Sequence, residues 1–317
     1  MLISERFLNP AAFIQIDLDG VWAVRKCYGL PEDEFLERDP VYVEGIPHFL
    51  ELFKRKGIPA SFFVVGRDAQ VAAKEIIIGQ IIKAGHEIGN HSYDHKLGMT
   101  SLSEPEIREN ISKAQGAITG IMDRGGWGSE HHPVGFRSPG YDADERVLRA
   151  AAELGFLYDA SLFPTWWGGA MRLMDAYISG RMLGGKRQYG SFGGGWKPLS
   201  PHRVKGTAAL WELPVSVSPS LRLPFHFGIA LTRGFDYFRR CAEGYIRRGI
   251  PLLYLFHGID FVDARLLKLV PSQRGASFFQ QPLEEKLAFA ERILDFIAGH
   301  FSIQRARDYA ARLNDPV

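Results

Sequence analysis

The chain has 317 residues, of which 46% are hydrophobic, so it can bury a large core within one α/β domain. Its formal net charge of +2 gives no overall reason to expect a nucleic acid partner. Two cysteines are too few for a disulfide framework, and neither a secretory signal nor an apolar run of membrane-spanning length is found, so we expect reduced thiols in a cytoplasmic protein.

Short apolar runs alternate with segments of helical periodicity, which is typical of βαβ units and a parallel sheet. In chain order, the predicted strands are 13–17, 60–65, 87–89, 210–217 and 252–256, and a short run at Phe136 enters a loop. The predicted helices are 43–56, 69–84, 103–120, 144–154 and 283–301. Ser103 and Glu106 have the spacing of a capping box at the start of helix 103–120.

Chemically useful side chains follow directly after several of these apolar runs. They are the acid pair Asp17 and Asp19, the histidines His91 and His95, Arg137 and His257. In parallel α/β barrels the functional groups gather at the carboxyl ends of the strands. We therefore expect these residues to meet at one end of a barrel.

The segment 89–95, Gly-Asn-His-Ser-Tyr-Asp-His, places two imidazoles four residues apart. On a helix, residues i and i+4 share a face, so His91 and His95 could bind one metal ion there. The alternative is an ordinary pair of histidines on a solvated helix. Two histidines and one carboxylate would make a hydrolytic metal site that keeps an open position for water.

Five blocks resemble the polysaccharide deacetylase (NodB-homology) family in order and separation, from about residue 11 to 310. They are Ile-Asp-Leu-Asp-Gly at 16–20, Ala-Ser-Phe-Phe-Val-Val-Gly at 60–66, Ala-Gly-His-Glu-Ile-Gly-Asn-His-Ser-Tyr-Asp-His at 84–95, Arg-Ser-Pro-Gly at 137–140 and Leu-Phe-His at 255–257. The commonest first block of the family is Thr-Phe-Asp-Asp-Gly. Here Leu18 separates the two acids, as in the branch with peptidoglycan-deacetylase-like proteins and lipid-linked aminoarabinose deformylases.

The resemblance implies a distorted (β/α) barrel of about seven strands, formed by residues 1–317 as one catalytic domain. It also implies that Asp19, His91 and His95 bind one divalent metal ion. Zinc suits two imidazoles and a carboxylate, and iron, cobalt or nickel could use the same ligands.

Further roles are implied for residues around the metal. Asp17, which shares a face of an extended strand with Asp19, would take a proton from water as general base. Arg137 would hold Asp17 ionised, and His257 would protonate the departing amine. The alternative for Asp17 is a carboxylate that orients other groups, and for Arg137 a surface salt bridge. The alternative for His257 is a core histidine whose hydrogen bonds are satisfied.

Five more residues are candidates for the site. The backbone amides of Gly140 or Tyr141 could share an oxyanion with the metal, although the family more often has tyrosine directly after the proline. Asp159 lies where the family often has an aspartate that orients the catalytic histidine, and a structural cap is its alternative. Glu212 could face the pocket from its strand, and Asp260 could be a partner of His257.

The segment 164–205 is predicted to be an insertion or lid. It contains Trp166, Trp167 and Trp196, and seven lysines and arginines against one acid. The basic residues are Arg172, Arg181, Lys186, Arg187, Lys197, Arg203 and Lys205, beside an apolar stripe of Met171, Met174, Tyr177 and Ile178. This composition suits an interfacial helix on anionic lipid or a contact with the phosphate of a lipid-linked sugar. An ordinary lid or a subunit contact is the alternative.

The predicted function is a metal-dependent amidohydrolase that removes an acyl group, acetyl first, from an N-acylated amino sugar or glycan precursor. Deformylation of a lipid-linked amino sugar and hydrolysis of a cyclic amide or imide are the alternatives with the same chemistry. A sugar-binding relic without activity is the alternative from another class, and the presence of both Asp17 and His257 argues against it. We expect a cytoplasmic protein, with peripheral contact at the inner membrane face if its substrate is lipid-linked, and the oligomeric state stays open.

Overall fold

The computed structural model describes residues 9–27, 37–179, 189, 192–207, 209–267 and 280–314. In these ranges the strands are Ala11–Leu18 (β1), Ser61–Val64 (β2), Glu87–Asn90 (β3), Gly135–Phe136 (β4), Tyr158–Asp159 (β5), His202–Arg203 (β6), Trp211–Glu212 (β7), Leu252–His257 (β8) and Ser302–Ile303 (β9). The helices are Val21–Cys27 (α1), Ile46–Lys56 (α2), Ala72–Lys83 (α3), Glu104–Arg124 (α4), Glu145–Glu153 (α5), Gly168–Ser179 (α6), Phe227–Arg233 (α7), Phe235–Ile246 (α8), Leu283–His300 (α9) and Ala306–Asn314 (α10). None of the helices in these ranges is both long and apolar enough to cross a membrane.

The strands form one curled sheet in the order β6-β7-β5-β4-β3-β2-β1-β8, and β9 pairs with β1. The described ladders are parallel except for the antiparallel β6–β7 pair. The predicted distorted α/β barrel is therefore confirmed as a curled half-barrel, with eight strands along its main path.

An irregular segment, residues 213–216, joins the two sides of the curled sheet. Leu213 N donates to Asp159 O at 2.8 Å and Val215 N donates to Leu162 O at 2.9 Å. Ser216 N then donates to Leu253 O in β8 at 3.2 Å. The predicted strand 210–217 is thus regular only at Trp211–Glu212, and its remainder closes the barrel by single hydrogen bonds.

The sequence of β1 explains how the site is positioned. Successive side chains of a strand point to opposite faces. Ala12, Ile14, Ile16 and Leu18 pack in the layer between sheet and helices. Phe13 packs with the residues of the barrel interior, and Gln15 and Asp17 are buried further along the strand. Asp17 therefore ends a column of side chains that fills the inside of the barrel.

The local signals for helices correspond to the observed ends. Glu106 Oε2 accepts from Ser103 N at 2.8 Å, so the predicted capping box is present. Asp144 caps α5 by accepting from the backbone of Arg146 and Val147. Gly57 ends α2 with φ of 62°, a left-handed conformation that glycine adopts without steric cost.

Candidate metal and catalytic site

Asp17 lies between Arg137 and His257 at the carboxyl ends of neighbouring strands. It is the register partner of His257, because β1 and β8 pair in parallel and end together. Arg137 Nη1 donates to Asp17 Oδ1 at 2.6 Å, while Asp17 Oδ2 is 4.0 Å from His257 Nε2. One carboxylate oxygen is thus bound to the guanidinium and the other faces the histidine.

Arg137 is fully buried and held in place along its whole length. Its Nε donates to Ala160 O at 2.8 Å, and its Nη2 donates to the side-chain oxygen of Gln15. The guanidinium also lies 4.5 Å from the ring centroid of Phe63. A buried arginine with these partners presents a fixed charge to Asp17, rather than a surface salt bridge.

The two histidines do not lie on a helix, and the helical geometry considered for them is wrong. Residues 91–98 form an irregular loop after β3, with positive φ at Ser92 (63°) and His95 (47°). Asn90 Oδ1 accepts from Ser92 N at 2.9 Å and so stabilises the first left-handed residue. Gly66 N donates to Ser92 O at 2.9 Å, which ties the loop to the end of β2.

Asp19, His91 and His95 nevertheless bring three possible ligand atoms together. Asp19 Oδ1 is 3.2 Å from His91 Nε2 and 3.2 Å from His95 Nε2. All three residues are buried, and they form a possible metal cluster within the described part of the chain. Burial disfavours the charged form of Asp19, but the charge interactions and hydrogen bonds with His95 and His91 favour it more strongly. The pKa of Asp19 is therefore well below its usual range.

The hydrogen bonding of His91 shows that this cluster fits a metal ion. His91 Nδ1 is 2.8 Å from Arg137 O, which can only accept, so Nδ1 carries a proton and the Nε2 of the ring in its neutral form has a lone pair. That lone pair faces a carboxylate oxygen at 3.2 Å, an arrangement that a cation stabilises. Two ligands of one tetrahedral zinc, each about 2.0–2.1 Å from it, are about 3.3 Å apart. The spacing therefore suits a divalent ion with a vacant ligand position.

Asp159 has different partners from those predicted. Its carboxylate accepts from Ser161 N at 2.8 Å and Ser161 Oγ at 2.7 Å, and its described contacts do not include His257. The physical reason is strand register, which pairs Asp159 with Glu212 on β7 and keeps it away from β8. The carboxylate that does contact His257 belongs to Asp260, whose Oδ2 accepts from His257 N at 2.8 Å.

Asp159 and Glu212 form a buried pair of carboxyl groups. Burial raises the pKa of Glu212 well above its usual range, and the charge of Asp159 adds to this effect. Burial also raises the pKa of Asp159. Glu212 Oε1 accepts from Leu162 N at 3.1 Å, so its carboxyl group is bound within the barrel wall. Glu212 therefore has a positioning contact rather than an exposed place in a pocket.

The turn after Arg137 contains two consecutive left-handed residues, Gly140 with φ of 64° and Tyr141 with φ of 60°. Tyr141 N donates to Ser138 O at 3.1 Å, so this amide is used by the turn and Gly140 is retained as the candidate oxyanion donor. The ring of Tyr141 packs on Phe163 with centroids 4.9 Å apart. Burial and the charge of Asp17 raise the pKa of Tyr141 well above its usual range, so its hydroxyl keeps its proton.

His226 is a residue of the site that the sequence reasoning missed. It directly precedes α7, and its ring lies edge-to-face with that of His257, with centroids 5.8 Å apart. Its Nδ1 is shielded from solvent and has no hydrogen-bond partner among the described residues. Burial, with a contribution from His257, lowers the pKa of His226 to about 3, so the ring is neutral near pH 7. A histidine immediately before a helix, in an apolar loop, was the available signal.

The predicted lid segment is only partly described. Arg181, Lys186 and Arg187 lie outside the described residues, as do the side chains of Met174, Tyr177 and Ile178. One contact ties the segment to the site, because Tyr189 N donates to Gly140 O at 2.8 Å. The segment therefore reaches the turn that carries the candidate oxyanion donor.

Comparison with known proteins gives a family match to part of the chain and a fold for nearly all of it. Residues 36–158 match the family model described as polysaccharide deacetylase. Over 118 residues the chain is 30% identical to a peptidoglycan-N-acetylglucosamine deacetylase of Bacillus cereus, which covers 37% of this chain and 49% of that protein. The chain spans less than half the length of the first curated relatives that it matches.

Two solved structures share the fold over nearly the whole chain. One is a Mycobacterium smegmatis protein assigned to the polysaccharide deacetylases, with a TM-score of 0.63, 18% identity and coverage of 98% of this chain and 92% of that chain. The other is Puue allantoinase, with a TM-score of 0.61, 17% identity and coverage of 99% and 93%. At these identities both likenesses show the architecture alone.

Proposed function

We propose that the chain, whose residues 36–158 match the polysaccharide deacetylase family model, removes acetyl groups from N-acetylated amino sugars of a glycan by metal-dependent hydrolysis. The observation that carries this proposal is that two neighbouring carboxylates have different partners. Asp19 faces two histidine nitrogens, and Asp17 is bound to a buried arginine. One carboxylate is thereby suited to bind a cation and the other to accept a proton.

Asp19, His91 and His95 would hold one divalent ion, for which zinc suits the donor set. Bound there, the ion supplies Lewis acidity toward a water molecule and the acyl carbonyl group. Asp17 accepts the proton of the attacking water. Its Oδ1 is occupied by Arg137, so Oδ2 is the oxygen that receives this proton. Arg137 keeps the Asp17 carboxylate in one orientation during the transfer.

His257 is the group that protonates the leaving amine. An amine cannot leave as an anion at neutral pH, so C–N cleavage needs a proton at the nitrogen. His257 Nε2 lies on the side of Asp17 away from Arg137, and about a quarter of the side chain is exposed, so a substrate can reach it. The products are the free amine of the sugar and acetate. Asp260 restrains the backbone at His257 and so keeps the ring above the end of β8.

The acyl group and the sugar follow from the relative's substrate class and are tested by direct assay. Amine release is measured from N-acetylglucosamine oligomers, from N-formyl analogues and from a cyclic amide, because all three reactions break an amide C–N bond. We expect turnover with the acetylated sugar. Turnover confined to the formyl or the cyclic substrate would contradict the proposed substrate while leaving the hydrolase chemistry intact.

The site is tested by elemental analysis of the same preparations. We expect about one metal per chain in the wild type, and its loss in Asp19→Ala and His91→Ala. Asp17→Asn should retain the metal and lose about 10²–10⁴-fold in kcat, the usual contribution of a general base. Asp94→Asn, in the same loop and bonded to Asn110, is the matched control and should change neither. Absence of metal from every preparation, even after reconstitution, would contradict the hydrolase and leave a sugar-binding protein.

A further inference from the structure

A cluster of exposed aromatic and apolar side chains lies beside the site. Among the large hydrophobic residues of the described ranges, Trp196 is 77% exposed, Leu221 61% and Trp167 44%. Trp166 packs against Trp196 with ring centroids 5.5 Å apart. We call these four residues the tryptophan platform. Exposed apolar side chains gathered in one patch are typical of a binding surface, whereas single ones need no explanation.

Hydrogen bonds between two chain segments, 165–167 and 221–222, hold Trp167 in the tryptophan platform. Trp167 Nε1 donates to Leu221 O at 3.0 Å, and Trp167 N donates to Thr165 Oγ1 at 3.1 Å. Thr165 Oγ1 in turn donates to Arg222 O at 2.7 Å. A Cβ on Gly195 would lie 1.7 Å from the Trp166 ring, so glycine is required there for the backbone to rest on the indole. Fixed rings lose little conformational entropy when a ligand binds.

Two chain segments join the tryptophan platform to the site. On one side, Phe163 lies three residues before Trp166 and packs on Tyr141, 4.9 Å between ring centroids. On the other side, the loop that carries Leu221 leads to His226, whose ring contacts that of His257. A chain-like ligand with one unit between Asp17 and His257 would therefore extend onto the indoles.

Positive charge borders the same surface. Arg222 Nη1 donates to Lys197 O at 3.2 Å, which places both basic residues beside Trp167 and Trp196. The surface thus combines flat aromatic faces with cations, and it complements a ligand with C–H-rich faces and acidic substituents.

We propose that the tryptophan platform binds the neighbouring sugars of an amino-sugar polymer that bears carboxylate groups, while one N-acetylated unit occupies the site. This inference rests on the proposed function and adds the requirement for a strand rather than a single sugar. The faces of pyranose rings present C–H groups, which pack on the electron-rich face of an indole. The Trp167 indole, fixed by its hydrogen bond to Leu221 O, suits this stacking better than insertion among lipid chains, and a membrane is the competing partner in the test.

The test measures binding by calorimetry to the full chain in the Asp17→Asn background, so that the ligand is not consumed. The probes are N-acetylglucosamine oligomers of one to six units, with and without carboxymethyl groups. We expect affinity to rise with length, and Trp196→Ala and Trp167→Ala each to weaken binding of the hexamer about three- to tenfold without affecting the single sugar. Lys197→Met should remove the preference for carboxymethylated oligomers. Ile76→Ala, which removes an exposed side chain on α3, is the matched control.

Three outcomes would overturn the inference. One is affinity that does not depend on length, and another is hexamer binding that neither tryptophan substitution alters. The third is loss, in the tryptophan variants, of binding to phosphatidylglycerol vesicles by a protein that does not bind oligomers, which assigns the surface to a membrane. Length-dependent binding that requires the tryptophans, in a protein that deacetylates no oligomer, would uphold the platform and contradict the proposed function. Deacetylation that is equally fast at every oligomer length would uphold the proposed function and contradict the role of the tryptophan platform.

Discussion

Two buried polar clusters flank the carboxyl end of β1, and they differ in how far their members satisfy one another. The first, which we call the ionic cluster, contains Lys74, Asp39 and Asp68. Lys74 Nζ lies 2.9 Å from Asp39 Oδ2 and 2.6 Å from Asp68 Oδ1. The remaining donors to these carboxylates are the backbone of Val21 and Val41, the indole of Trp22 and the hydroxyl of Tyr42. In this cluster each acceptor faces a donor.

The second cluster is Asp19, His91 and His95, in which one carboxylate oxygen faces a ring nitrogen of each histidine. Both clusters carry the cost of desolvation, and the ionic cluster offsets part of it with the ammonium group of Lys74 and the donors around it. The ionic cluster also places the second one, because Asp39 accepts from Val21 N and so fixes the start of α1 two residues after Asp19. We call the ionic cluster closed and the cluster of Asp19, His91 and His95 open. The closed cluster supports the fold, and the open cluster is suited to bind a ligand.

The strongest test of this contrast is Lys74→Met. Removing the ammonium group leaves two carboxylates buried without a counter-charge, which costs about 3–5 kcal/mol of unfolding free energy. The measurement is urea unfolding of the variant beside wild type. Lys83→Met, at the exposed end of the same helix, is the control and should stay within about 0.5 kcal/mol. A cost for Lys74→Met as small as that of the control would remove the structural role of the ionic cluster.

Asp19→Ala tests the second cluster. In metal-free protein it removes a buried carboxylate that faces two histidine nitrogens, so stability should change less than in Lys74→Met. With metal at 100 times its dissociation constant, the wild type should gain about 2.7 kcal/mol and the variant should gain nothing. Unfolding with and without chelator measures both effects. Equal metal stabilisation of variant and wild type would show that Asp19 is not a ligand.

The sequence could predict the members of the open cluster because each follows a recognisable strand or block. The ionic cluster could not be predicted in this way, since Lys74 resembles an ordinary lysine of a surface helix. Its burial depends on Asp39 and Asp68, which reach it through the packing of three separate segments. Charge pairing between distant loops leaves no periodic signal along the chain.

The failures in the site have the same origin. Two left-handed residues bring His91 and His95 together, and a side-chain contact of Asn90 with Ser92 N stabilises the first of them, so helical spacing was misleading. Asp159 was given the wrong partner because strand order, rather than sequence separation, places it beside Glu212. The predicted cytoplasmic location and the predicted lipid contact stay predictions.

The Asp159–Glu212 pair differs from both clusters, because burial and the charge of Asp159 raise the pKa of Glu212 well above its usual range. Glu212→Gln mimics the protonated acid and should change stability by no more than about 1 kcal/mol at pH 5, since its hydrogen bonds can be kept. The raised pKa of Glu212 means that the folded state retains a proton that the unfolded state loses from about pH 4.5 upward. Wild-type stability should therefore fall as pH rises through this window, and the fall should be smaller in the glutamine variant. Equal slopes for the two proteins would show that Glu212 is ionised in the fold.

The smallest effect on stability is expected on the tryptophan platform, where a substitution should change ligand binding but not the unfolding free energy. Trp196→Phe changes a mostly exposed side chain and should alter the unfolding free energy by no more than about 0.5 kcal/mol. Trp22→Phe is the matched substitution in the ionic cluster, where the indole donates to Asp68 Oδ1 at 2.7 Å. Loss of that bond to a charged acceptor should cost about 1.5–3 kcal/mol. If both substitutions lower the unfolding free energy by the same amount, Trp196 stabilises the fold and is not part of a surface for a ligand. The contrast between the closed and the open cluster would then not extend to the tryptophan platform.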